Sequence, residues 1–169
     1  SDHGHFFGQH GRIAKGPFHY EDLIRVPFLA RLPGRIPAGE RSDSLVSLVD
    51  LAPTMLGACG IEAPMTMSGL DQMSVLEGDA SAGRDHVIVE NRHQPTTIHL
   101  NTYVDSRYKI TIYRDHEYGE IFDLQEDPGE INNLWDDPAS QSLKQELMAK
   151  LLNADLKKEP LYMPRIYGA

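Results

Sequence analysis

The first twenty residues, SDHGHFFGQHGRIAKGPFHY, bring side chains able to do chemistry into close spacing. Asp2 and His3 are adjacent, Gly4 follows, His5, His10 and His19 come soon after, and Lys15 stands thirteen positions beyond Asp2. Along a regular strand neighbouring side chains point to opposite faces, so Asp2 and His3 would not share a ligand there. Gly4 lets the backbone turn sharply, and at such a turn a carboxylate and an imidazole converge on one metal ion. Lys15 adds a compact, strongly hydrated positive charge for an anionic group beside that ion. Metal and ammonium together would neutralise oxyanion charge as it develops in a transition state. An Asp-His pair by itself is also a common surface turn. His5, His10 and His19 meet no structural-zinc spacing and read as loop or helix-cap histidines.

The charge distribution separates this segment from the rest. The chain of 169 residues carries a net charge of −9, which argues against a general nucleic-acid partner. Residues 1–41 nevertheless balance at +2, leaving −11 on the remaining 128. Only the opening segment therefore suits an anionic ligand. A hydrophobic content of 40% with 24% charged residues is that of a globular chain. The single cysteine, Cys59, excludes an intramolecular disulfide. No apolar run approaches the roughly 20 residues that cross a bilayer, and no secretion signal opens the chain.

The elements that must position these residues fall into two textures. In residues 20–34, YEDLIRVPFLARLPG, a short helical turn is expected to run into a buried strand, Val26 to Leu32, stopped by Pro33-Gly34. Leu45, Val46, Leu48 and Val49 suggest a second strand or extended segment. Asp50 then caps a helix whose Leu51, Met55, Leu56 and Cys59 share one face, with Cys59 a small buried hydrophobe. Residues 61–83 read as a connecting loop. Beyond it, 86–91, 96–105, 108–113 and 120–124 are β-branched or aromatic runs at short spacing, the pattern of an antiparallel meander. The stretch QEDPGEINNLWDDP is turn chemistry. A last helix begins at Asp137-Pro138, with Leu143, Leu147 and Leu151 as its apolar stripe beside Met148 and Leu152. The expected fold is an α/β remnant in 1–84, whose strands lack partners, followed by an α+β subdomain in 85–160 of about four antiparallel strands with one packed helix, and a tail, 161–169.

The ordered set SDHG, GQHG, AKGPFHYEDLIRVPFLARLPG and SLVDLAPTMLGACGI, followed by YKITIY and GEIFDLQEDPGEINNL, resembles the C-terminal third of the sulfatases, within the alkaline phosphatase superfamily. The resemblance runs to about residue 155. It implies an alkaline-phosphatase-like core for the α/β remnant and a sulfuric ester hydrolase as the parent enzyme. It further implies that Asp2 and His3 bind a divalent ion, calcium, in the active site, and that Lys15 contacts the sulfate group. His3 replaces the Asn of some members, and Gln9 stands where many have Glu.

The resemblance also says what the chain lacks. Sulfatases act through a formylglycine made from the Cys or Ser of C/S-x-P/A-x-R, together with upstream aspartates. No such motif occurs in these residues, and Cys59 lies in ACGIEAP with Ile61 in place of the Pro or Ala. The expectation is a fragment that holds part of the metal and sulfate site, is inert alone, and takes a sulfated small molecule or saccharide when complete. Two other readings stand beside it: a fragment of a phosphonate monoester or phosphodiester hydrolase of the same superfamily, and a non-catalytic interaction module in 85–160. Periplasmic and extracellular locations stay open for the parent, whose signal peptide, if present, would lie upstream.

Overall fold

The computed structural model describes residues 1–93 and 98–158. In chain order the elements are β1 (Phe6–Phe7), β2 (Ile13–Ala14), α1 (Glu21–Ile24), α2 (Leu51–Ala58), α3 (Met73–Leu76), β3 (Val87–His93), β4 (Ile98–Val104), β5 (Tyr108–Tyr113), β6 (Gly119–Asp123) and α4 (Gln141–Lys157). Two compact units divide the described residues, one made of 1–29 with the described part of 85–154 and one made of 30–84 with 155–158. The chain passes between the units at 29/30, 84/85 and 154/155, and the opening segment groups with the sheet on which it packs. The expected tail, 161–169, lies outside the described residues, as do Thr96 and Thr97 of the second expected strand.

In the first unit, β3 to β6 form one antiparallel sheet in sequence order. The DSR turn between β4 and β5 is tied by Asp105, whose Oδ1 accepts from the Arg107 and Tyr108 amides at 2.9 and 2.7 Å. Register aligns Tyr103, Ile110 and Ile121 in one row across the sheet. This row meets Leu147, Leu151 and Ala154 of α4 and Trp135 in the main apolar core. The helix starts as its sequence requires: Pro138 occupies the first turn, and the Asp137 side chain accepts from the Ala139 amide at 3.3 Å. Burying Leu147 and Leu151 contributes about 1.5–3 kcal/mol each. The small residue at Gly119 is obligatory, since a Cβ there would overlap the Trp135 ring. Asn133 closes the free edge of β6 by accepting from the Ile121 amide (2.9 Å) and donating to the Gly119 carbonyl (2.9 Å).

The opposite face of the sheet is buried as well, although its residues are largely polar. Thr102, Thr111 and Glu120 form one row and Val104, Lys109 and Phe122 the next, all inaccessible to solvent. The segment 17–24 covers them. His19 Nδ1 lies 2.8 Å from Thr102 Oγ1, which shares a 2.7 Å hydrogen bond with Thr111. Lys109, only 1% exposed, donates to the His19 carbonyl at 2.8 Å and pairs with Glu130 and, at 3.5 Å, with Glu21. Glu130 also accepts from the Glu21 amide at 2.7 Å. The EINNL stretch is thus more than a turn: Glu130 ties down α1, and Asn133 ties down the sheet edge.

The second unit departs most from the sequence reading. Val26–Leu32, which spans both units, carries no strand, and Leu29 is 91% exposed. A run apolar on both faces is the pattern of a strand covered on both sides, and no described strand pairs with it. Residues 45–49 form only an isolated bridge, Leu45 to Arg84, and a 3-10 turn at Leu48–Asp50. The α/β remnant therefore contains no parallel strand pair among the described residues. Helix α2 buries Pro53 and Thr54 rather than the expected stripe, Met55 is exposed, and Cys59 lies at the surface. The reason is Asp50. It does not cap α2 with its side chain; it is wholly buried and accepts from the Ser47 and Leu70 amides (2.9 and 2.8 Å), from Gln72, and from both arms of the Arg84 guanidinium. Burial pushes its carboxyl up, but the Arg84 and amide hydrogen bonds outweigh that and hold it below the ordinary range. Thr54 Oγ1 donates to the Asp50 carbonyl (2.6 Å) and accepts from the Gln72 amide (2.9 Å), so the helix turns its polar side inward.

Candidate anion and metal site

The site is built on a small hairpin. β1 and β2 pair with Phe6 opposite Ala14 and Phe7 opposite Ile13. Gly8 and Gly11 take the left-handed conformations of the connecting turn (φ 119° and 65°), and the Gly8 amide bonds the Arg12 carbonyl at 2.9 Å. Gln9 contributes locally, its Oε1 accepting from the Phe7 amide at 2.6 Å. Ala14 also stands at positive φ, 66°, and redirects the chain just before Lys15. Phe6 is the anchor: it is buried, edge-on to the rings of His10 and Tyr20.

The hairpin returns Lys15 to His3. Lys15 Nζ lies 3.2 Å from His3 Nε2, and His3 Nε2 lies 3.7 Å from Asp2 Oδ2. The three residues proposed from sequence thus stand together. Gly4 fixes the loop that carries two of them. Its amide donates to the Leu23 carbonyl at 2.8 Å, and a Cβ at this position would overlap the Asp22 carbonyl oxygen. The other end of the imidazole sets its chemistry. His3 Nδ1 lies 2.7 Å from the Gly4 carbonyl. A carbonyl only accepts, so the proton is on Nδ1 and the Nε2 lone pair faces Asp2 and Lys15. A histidine oriented in this way by a backbone carbonyl has the tautomer that a metal requires. The Asp2 carboxylate is 86% exposed, and its own backbone amide, followed by His3 and Lys15, holds it ionised to lower pH than usual.

Two further histidines of the opening segment, His10 and His19, are structural. His10 stacks on Tyr20 at 3.8 Å between ring centres and approaches Asp22 at 3.6 Å. His19 is buried; burial, and then the Lys109 charge, lower its pKa to about 4, so it is neutral. Tyr20, Tyr113 and Tyr118 all donate to Glu120, at 2.8–2.9 Å. Burial first, and then the carboxylate, raise all three phenols, Tyr118 to about 12.

A pocket opens beside Lys15, lined by Phe6, Gly11, Arg12, Ile13, Lys15 and Phe18. The Arg12 guanidinium sits 3.7 Å above the Phe18 ring. Arg12 stacked on this aromatic wall, with Lys15 lining the same pocket, forms a setting for an anion. Arg12 and Phe18 were not singled out in the sequence, where GRIAKGPF shows a basic stretch but not the stacking. For a metal, Asp2 and His3 fit as two donors of a larger set. Among the described residues no group of three or more His, Cys, Asp or Glu side chains could hold an ion. No helix among them is long and apolar enough to cross a membrane.

Residues 8–159 match the family model for N-sulphoglucosamine sulphohydrolase, C-terminal. The chain is 31% identical over 135 residues to an N-acetylglucosamine-6-O-sulfatase of Bacteroides thetaiotaomicron, an alignment covering 76% of this chain and 24% of that protein. It is 31% identical over 131 residues to an arylsulfatase of Clostridium perfringens, covering 76% and 27%. It spans about a quarter of the length of these curated relatives. Among solved structures, a 2-O GAG sulfatase superposes with a TM-score of 0.83 at 27% identity, covering 92% of this chain and 35% of that one. A structure in complex with its substrate D-glucosamine-2-N,6-O-disulfate gives 0.79 at 27%, covering 92% and 33%. The phosphonate monoester hydrolase of Agrobacterium radiobacter shares the fold, at 0.81 and 22% identity over 96% of this chain and 38% of that one. The chain belongs to the sulfatase family and corresponds to the C-terminal portion of its members.

Proposed function

We propose that this chain is the C-terminal portion of a sulfuric ester hydrolase, with Lys15 binding the ester's anionic group and Asp2 and His3 contributing to a divalent metal site. The observation that carries the reading is the placement of Lys15 Nζ and Asp2 Oδ2 at 3.2 and 3.7 Å from His3 Nε2, with the histidine tautomer set by the Gly4 carbonyl. Lys15 and Arg12 hold the anionic group against Phe18, and the Lys15 ammonium stabilises charge on its oxygens as the ester bond breaks. A bound calcium ion would add Lewis-acid polarisation of those oxygens. Calcium prefers oxygen donors, about six to eight of them, so two residues are only part of its shell. The nucleophile is a formylglycine supplied from upstream sequence, since C/S-x-P/A-x-R does not occur in this chain. The chain alone is inert. The substrate is a sulfated saccharide, in keeping with the glucosamine disulfate bound by one structural relative. The phosphonate hydrolase likeness is one of fold alone and does not favour the alternative.

The test joins this chain to its upstream sequence and assays sulfate release from glucosamine 6-sulfate. Lys15→Ala and Asp2→Ala should each lower kcat/KM by about a hundredfold or more. The chain alone should release no sulfate. Wild-type rates in Lys15→Ala, or metal-independent turnover by the isolated chain, would defeat the proposal.

A further inference from the structure

Lys15 is an exposed residue on a flexible stem, so the place its ammonium reaches depends on how the backbone beneath it is fixed. Two ring contacts bracket it evenly along the chain. The Arg12 guanidinium lies 3.7 Å over the Phe18 ring, three residues to either side of Lys15. Outside that pair His10 stacks on Tyr20, five residues to either side, with 3.8 Å between ring centres and 14° between planes. The loop 10–20 is thus closed twice, with Lys15 at its middle. The outer closure is itself anchored. Phe6 stands edge-on to both of its rings, 6.1 Å from each, and the Tyr20 hydroxyl donates to Glu120 at 2.8 Å.

The backbone of His10 is left-handed, with φ 52° and ψ 25°, a conformation uncommon outside glycine. Such a conformation persists where the surroundings hold it, and the ring is held: the His10 side chain is 12% exposed. Its approach to Asp22, at 3.6 Å, is longer than a hydrogen bond, so the stack is the main fastening. The structural part of His10 is therefore a specific one. We infer that His10 is a positioning residue for the proposed reaction. Its stack on Tyr20 closes the hairpin turn onto the segment after Lys15 and so sets the Lys15 ammonium against His3 Nε2. This rests on the reading of Lys15 as the ligand of the anionic group.

NMR of the 169-residue chain, isotope-labelled in its histidine rings, tests this through the His3 Nε2 resonance, which reports the hydrogen bond to Lys15. Lys15→Ala gives the value of that resonance without the contact. His10→Asn tolerates the left-handed backbone and stays polar towards Asp22 but removes the ring. It should move the His3 resonance to the Lys15→Ala value. His10→Phe supplies a ring again and should bring the resonance back. In both His10 variants the Trp135 indole resonance, in the core against α4, should stay in place. A His3 resonance unmoved in Lys15→Ala or in His10→Asn, or no recovery in His10→Phe, would overturn the inference. So would a shifted Trp135 resonance, which would make His10 a residue of general stability. In the chain joined to its upstream sequence, His10→Asn should lower kcat/KM for glucosamine 6-sulfate by about ten- to a hundredfold. Added to Lys15→Ala it should cost nothing further, and additive losses would also overturn the inference. Wild-type turnover in Lys15→Ala would instead defeat the reading of Lys15, whatever the His3 resonance does.

Discussion

Replacing Lys109 by Met tests how the site-bearing segment is held on the sheet. The ammonium is buried, donates to the His19 carbonyl, and faces Glu130 and Glu21. Burial pushes the Glu130 carboxyl up, and Lys109 is the main opposing influence. Without it Glu130 is a buried charge with no counter-charge, a loss of about 3–5 kcal/mol. For a chain of this size that lowers Tm by roughly 6–20 °C. The sign of the pH dependence is diagnostic. A carboxyl whose folded pKa lies above its unfolded one contributes stability at low pH that is lost as pH rises through the folded value. Lys109→Met should therefore be closer to wild type at pH 5 than at pH 8 in urea denaturation. Adding Glu130→Gln keeps an acceptor for the Glu21 amide and removes the charge. The double variant should lose the pH dependence and recover all but about 1–2 kcal/mol, the remainder being the His19 carbonyl left without its donor. A single variant within 1 kcal/mol of wild type at every pH, or a double no better than the single, would refute this account.

Three further outcomes are expected. Gly4→Ala forces the loop away from the Asp22 carbonyl, so the His3 imidazole resonances should lose their shift response to Lys15→Ala; an unchanged response would show that the loop tolerates a side chain. His19 has its pKa depressed to about 4, so the unfolded chain binds its proton first: the stability is complete above about pH 6.5 and falls by up to ~3 kcal/mol as pH drops towards 4. His19→Gln should flatten that part of the urea midpoint profile, and an unaltered profile would contradict it. Ultraviolet titration should show Tyr118 ionising only near pH 12, with Tyr20 and Tyr113 later still; ionisation of all tyrosines near pH 10 would mean that the Glu120 cluster does not form.

The meander and the last helix were legible because alternation and an i, i+4 apolar stripe are local signals: Tyr103, Ile110, Leu147 and Leu151 advertise their common face. The chemistry of Asp2, His3 and Lys15 was legible as residue types near a glycine. Their meeting depends on a hairpin of two-residue strands that no periodicity reveals. The burial of the opposite face of the sheet was not legible, for a physical reason. Thr102, Lys109, Thr111 and Glu120 alternate with apolar residues as solvent-facing positions do, and a sequence does not show whether such a residue meets water or a buried partner. Here the partners, His19, Tyr20 and Glu130, lie 21–100 residues away along the chain. Asp50 misled similarly, since a carboxylate before a helix reads as a cap until Arg84 supplies its counter-charge.

This polar face also explains how so slight a hairpin can present a site. Two strands of two residues cannot be stable by themselves. Their order is borrowed from Phe6, buried against Tyr20, and from the segment that follows Lys15. An apolar face would hold that segment in several registers at little difference in energy. Hydrogen bonds from Lys109 to the His19 carbonyl and from Tyr20 to Glu120 are satisfied in one register only, and each buried group left unpaired by a slip would cost about 1–3 kcal/mol. The sheet thereby sets where residue 19 lies, and residue 19 sets where Lys15, four positions earlier, meets His3. Changes at Lys109 or Glu120 should accordingly reach the anion pocket without touching it.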